Sequence, residues 1–180
     1  MKTNSFQIQG NLTDQEKMVW AKISSMDLGP IKYKLMHEYD WEYSHVNEIE
    51  KQYKAYLFLC FKYGNEQPIV PSVSIDDFWH QHILDTRKYA ADCESTFGYF
   101  LHHFPYMGLR GEDDAKQLQS SFEKTKELYK EHFDGYYAIN DCAKETCNQC
   151  SVSGCNGSNC NSCSNSGKFS NEVRPVFEYR

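Results

Sequence analysis

Apolar positions recur at three- and four-residue intervals through most of residues 1–135, the pattern of helices with one buried face. Thr13 followed by Glu16 has the form of a capping box, and predicts a helix running to about Ser25 with Val19, Trp20 and Ile23 on one face. Gly29-Pro30 ends it and opens a second helix, Pro30 falling in the first turn where it is tolerated. Ile31, Leu35 and Met36 give that helix its inward face. Ser44 is placed to cap a long helix reaching about Tyr63, with Val46, Ile49, Tyr53, Tyr56, Leu57 and Cys60 in a stripe. Its last turns are apolar nearly all round, which marks a central buried helix. After Gly64-Asn65 and a loop bounded by Pro68 and Pro71, Ser74 caps a helix that runs to Phe97 or bends near Thr86; Gly98 ends it. A connector from Tyr99 to Gly111 leads to a last helix over about Asp113 to Phe133, whose early acids suit the positive helix end. Leu118, Phe122, Thr125 and Tyr129 form its inward stripe. Period-two alternation is weak everywhere, Ile69 to Val73 included. The expectation is an all-α bundle of five or six helices over residues 13–135, preceded by an unpatterned lead-in at 1–12.

Beyond Gly135 the pattern stops. Between Cys142 and Gly167, Cys, Ser, Asn and Gly supply 20 of 26 residues, and Val152 is the single sizeable aliphatic. Such a stretch buries too little apolar surface to offset chain entropy, so residues 136–180 are expected to form a disordered tail unless a metal or crosslink orders them. Residues 173–179 regain apolar character and are a candidate docking end.

Composition changes this picture little. Hydrophobic residues at 40% suffice for one core, and aromatics at 15% make ring packing a large part of it. The net charge of −6 and the absence of a basic run argue against nucleic acid as a partner. No apolar run is long enough for a bilayer, and Met1 to Phe6 lacks the apolar stretch of a secretory signal. A soluble, cytoplasmic protein is therefore expected. Eight cysteines then suggest metal binding or free thiols rather than disulfides.

The candidate chemistry lies between Asp76 and His103. Four of the seven histidines (His80, His82, His102 and His103) fall there, with Asp76, Asp77 and Asp85 nearby. Imidazole and carboxylate are common ligands for zinc, iron and copper. On a helix advancing about 100° per residue, His82 lands on the apolar face with Ile75, Phe78 and Trp79. Asp85 sits at the edge of that face, and His80 lies on the other side near Asp76 and Asp77. His80 and His82 thus cannot share one ion on a regular helix. His82 is either a core histidine bonded to Asp85, Tyr89 or a carbonyl, or a ligand facing His102 or His103. Asp76 and Asp77 have a plain reading as first-turn acids. Cys93 and Cys60 read as small core hydrophobes. In the tail, Cys147-x-x-Cys150 and Cys160-x-x-Cys163 form two knuckles able to enclose one tetrahedral zinc. A looser thiol tail for soft metals such as Cu(I), or an inert appendage, fits the composition too.

Trp79-His80-x-His82, then Leu84, Tyr89, Asp92-Cys93, Phe97-Gly98 and His102, resembles the pattern of the glycine-rich domain-containing protein-like family over roughly residues 40–135. The resemblance implies that these histidines form a site, and that a Gly- or Cys-rich end is an ordinary companion of the domain. It implies no particular reaction. Taken together, the expectation is a metal-binding protein, handling or sensing zinc, copper or iron, with bundle ligands among His80, His82, Asp85, His102 and His103 and tail ligands Cys147, Cys150, Cys160 and Cys163. A metal-dependent enzyme with an open site and an interaction module whose tail recruits a protein partner remain alternatives.

Overall fold

A computed structural model of the chain describes residues 8–133 and the backbone of residues 162–165. Among these, six helices make the domain all-α in class: α1 (Asp14–Ser24), α2 (Gly29–Glu38), α3 (Tyr43–Tyr63), α4 (Val73–Leu84), α5 (Thr86–Phe97) and α6 (Glu112–His132). Strand β1 (Leu101–Phe104) lies between α5 and α6 and pairs antiparallel with β2 (Ser162–Asn165).

The capping box of α1 is present. The Glu16 amide donates to Thr13 Oγ1 at 3.2 Å, and the Thr13 amide donates to Glu16 Oε2 at 2.7 Å. The same carboxylate meets Lys62 of α3 at 2.8 Å, so one side chain both caps α1 and fixes it to the central helix. The hydrogen bond from Lys62, with that from the Thr13 amide, holds the Glu16 carboxyl at about 2.

Helix α3 is the centre of the domain. Val46, Ile49, Tyr53 and the unbroken run Ala55 to Cys60 are buried. Trp20 of α1 and Phe133 pack edge-on against Phe58, with centroids 5.7 and 6.1 Å away. Helix α6 is tied across the bundle by two buried hydrogen bonds. Tyr129 Oη donates to the Gln52 carbonyl at 2.8 Å, and the Val70 amide donates to Thr125 Oγ1 at 3.0 Å.

Several boundaries differ from the sequence expectation. Helix α3 begins one residue ahead of Ser44, with Glu42 at the N-cap making no side-chain cap bond. Ser72, not Ser74, caps α4; its hydroxyl accepts from the Ile75 amide at 3.4 Å. Of the two courses expected from Ser74 towards Phe97, the bend near Thr86 is the one present: α4 and α5 are separate helices, because Asp85 leaves the helical region (φ −80°, ψ 68°). Gly98 does end α5, at φ +74°, a left-handed conformation that suits glycine. The connector after it contains β1, which had no alternation to betray it. The lead-in at 1–7 and the docking end at 173–179 lie outside the described residues.

Replacing Glu16 with Gln removes the carboxylate from both partners and is expected to lower stability by about 1–2 kcal/mol at neutral pH. A carboxyl held low in the folded state contributes stability above its unfolded value near 4.5, and that contribution is lost as pH falls towards 2. Chemical denaturation of the E16Q variant should accordingly show a flatter acid limb between these limits than the parent chain, with the two converging at the acid end.

Candidate metal centre

Asp76 and His80 are four residues apart on α4, so they lie one above the other on a single face. Strand β1 brings His103 to the same face. His103 Nε2 is 3.0 Å from Asp76 Oδ1 and 3.1 Å from His80 Nε2, while His80 Nε2 is 3.6 Å from Asp76 Oδ2. These atoms form a group able to hold a metal ion, all within 4.8 Å of one another. The group runs from core to surface: the Asp76 side chain is 2% exposed, that of His103 9% and that of His80 41%. The ring of His103 rests on Trp79, with centroids 4.4 Å apart.

The protons in this cluster are in conflict. A neutral imidazole nitrogen carries either one proton or one lone pair. On His103 Nε2 that single proton or lone pair has to serve both Asp76 Oδ1 and His80 Nε2. A cation between the three groups removes the conflict, because both imidazole lone pairs and the carboxylate then point at it. Ligand atoms around a tetrahedral zinc lie about 3.3 Å apart, given bonds of roughly 2.0–2.1 Å. The two imidazole nitrogens lie 3.1 Å apart, near that spacing, and each lies 3.0 to 3.6 Å from one oxygen of Asp76, Oδ1 for His103 and Oδ2 for His80. Burial pushes the His80 ring below its ordinary value, Asp76 opposing and His103 reinforcing, which favours its neutral form.

His82 lies elsewhere. It is buried on the opposite face of α4, where Tyr53 Oη meets its Nδ1 at 2.9 Å and Asp92 Oδ2 meets its Nε2 at 3.1 Å. Lys88 donates to the same Asp92 oxygen at 2.7 Å. Both ring nitrogens are engaged, and burial holds the ring down at about 4, so it stays neutral. Asp85 is exposed at the break between α4 and α5, and His102 is exposed with its ring against Phe100, 4.9 Å between centroids. Of the five expected bundle ligands, the structure brings His80 and His103 together and leaves His82, Asp85 and His102 out of the group.

Asp76 joined the cluster without having been counted as a ligand. Its spacing from His80 was the available signal, masked by the ordinary preference of helix starts for acids. Cys93 is a free buried thiol raised by burial, in keeping with a core role, whereas Cys60 is buried and disulfide-bonded rather than a simple core thiol. Cys147, Cys150 and Cys160 lie outside the described residues; Cys163 is described only through the backbone of β2.

A six-helix domain carrying a two-histidine, one-carboxylate group that reaches from its core to its surface is the class that fold and site define. The chain belongs to the UCP032817-like family, whose model matches residues 29–132. This corrects the resemblance to the glycine-rich domain-containing protein-like family. Four of the residues that carried the resemblance join α4 to α5: Trp79 Nε1 donates to Tyr89 Oη at 3.0 Å, and His82 pairs with Asp92. They report how two helices fit together, which is weak evidence of a particular family. No curated protein and no solved structure matches the chain. Among the described residues, no helix is long and apolar enough to cross a membrane.

Truncating His82 to Ala strands the Tyr53 hydroxyl in the core and takes one partner from Asp92. The H82A variant should lose about 2–4 kcal/mol in urea denaturation while its metal content per folded molecule stays at the parent level. Lost metal with unchanged stability would make His82 a ligand instead.

Proposed function

We propose that the protein binds one divalent transition-metal ion through Asp76, His80 and His103 and serves to handle or sense that metal. The observation that carries this reading is the shared demand on His103 Nε2, 3.0 Å from an anionic oxygen and 3.1 Å from a second imidazole nitrogen. The donor set is one that zinc and non-haem iron both take, and copper accepts imidazole as readily. Zinc fits best, because the separations match a tetrahedral first shell. The thiol-rich composition of the tail supports a role in metal traffic, since thiolates are ready ligands for zinc and Cu(I). A cytoplasmic location goes with this reading, as thiols that hold metal must stay reduced. The disulfide at Cys60 is the one feature that points the other way.

The exposed edge of His80 favours one second reading, a metal-dependent enzyme, because catalysis needs a coordination position open to substrate. It makes the further demand of an exchangeable water on the ion.

Elemental analysis tests the binding itself. A full-length chain with Ser at all six tail cysteines should retain about one equivalent of zinc after dialysis against a metal-replete buffer. Adding His80→Ala, at a half-exposed position where the fold tolerates truncation, should remove it with the helical circular dichroism unchanged. A six-serine chain that folds and holds no metal overturns the proposal.

A further inference from the structure

The candidate centre has two walls from different parts of the chain. Asp76 and His80 stand on α4, and His103 arrives on β1, 23 residues beyond His80. The covalent chain alone does not fix the distance between these walls. One buried hydroxyl reaches both of them. Tyr89 of α5 is 1% exposed; its Oη accepts from Trp79 Nε1 at 3.0 Å and donates to the Leu101 carbonyl. Trp79 immediately precedes His80 on α4, and its ring supports that of His103. Leu101 opens β1, two residues before His103. Cys93, one turn further along α5, is hydrogen-bonded to the Leu101 backbone and to the Tyr89 hydroxyl. Two neighbours on one face of α5 thus grip the α4 wall and the β1 wall together. Buried hydrogen bonds are directional and costly to leave unmade, so such a grip resists any change in the spacing it sets.

We infer that Tyr89, with Cys93 beside it, is the positioning residue of the Asp76–His80–His103 centre and makes it select small divalent ions such as zinc over large ones such as cadmium. The inference rests on the metal reading above and adds to it the class of ion the centre prefers. A tetrahedral zinc places its ligand atoms about 3.3 Å apart. The two imidazole nitrogens already stand 3.1 Å apart. A larger ion forms longer bonds and has to push His103 away from α4, against the hold of the Tyr89 hydroxyl on Trp79 and Leu101. Without that hydroxyl the walls are free to part. A small ion then has to draw them together, and a large one meets less resistance. Neither Tyr89 nor Cys93 touches the ion, and both act through the residues that do.

The test compares zinc and cadmium affinities, read by competition with a chromophoric chelator. The parent is the full-length chain with Ser at all six tail cysteines. Tyr89→Phe keeps the buried ring and removes the hydroxyl alone. It should weaken zinc about ten- to a hundredfold, the range ordinary for partners outside the ligand shell, and weaken cadmium less, so that the zinc-to-cadmium preference falls. Tyr129→Phe is the matched control, because it removes another buried hydroxyl, bonded to the Gln52 carbonyl across the bundle. It should lower stability in urea and leave the preference at the parent value. An unchanged preference in Tyr89→Phe overturns the inference, as does an equal loss for both ions or an equal shift in Tyr129→Phe. If Tyr89→Phe does not fold, Cys93→Ala reads the same quantity. A smaller fall in the preference is then expected, and no fall overturns the inference. A folded parent that binds neither ion overturns the metal reading itself, whereas zinc bound with its preference unmoved by these variants leaves that reading standing.

Discussion

The ring of Trp79 is the contact on which the candidate centre depends. It is fully buried, with Tyr56 of α3 on one side at 5.4 Å and His103 of β1 on the other at 4.4 Å. Its Nε1 donates to Tyr89 Oη, and that hydroxyl donates in turn to the Leu101 carbonyl. One side chain therefore joins α3, α4, α5 and β1. His103 belongs to a four-residue strand whose ends, Leu101 and Phe104, are buried in the core, and the indole gives its ring a surface to lie on between them.

The two histidines of α4 show how two residues' separation divides labour on a helix. His82 turns into the bundle and exchanges hydrogen bonds with Tyr53 and Asp92, so both its nitrogens are committed to holding α3, α4 and α5 together. His80 turns out, beside Asp76, and its Nε2 meets His103 Nε2 at 3.1 Å. A buried imidazole with two partners is a structural group. The same ring with a half-exposed edge and a carboxylate four residues away is a group available for chemistry.

Much of this was legible in the residues. The box at Thr13 and Glu16, the stripe of α3, the stop at Gly98 and the inward face of α6 are local signals, set by spacing and capping, and each is present in the fold. The separation of His80 from His82 followed from the helical period alone. The break at Asp85 falls at the bend expected near Thr86, but the sequence left a continuous helix to Phe97 open as well, because nothing in Leu84-Asp85-Thr86 forbids one. Strand β1 was missed because Leu101-His102-His103-Phe104 is short and gains its extended form from a partner strand about sixty residues on and from Trp79. Asp76 was underrated for a related reason: only the return of the chain at His103 turns a common helix-start acid into one corner of a cluster.

The cluster also spans a long stretch of chain. His103 is 27 residues from Asp76 and 23 from His80, with the rest of α4, all of α5 and the turn at Gly98 between. An ion that grips both ends closes this stretch into a loop and removes conformations that the unfolded chain could otherwise explore, much as a crosslink does. Because such an ion would bind the folded chain and not the open one, its free concentration would set the rigidity of that stretch of the chain. Scarcity of the ion would then be felt first as a loosening of architecture, in the region where the chain doubles back on itself.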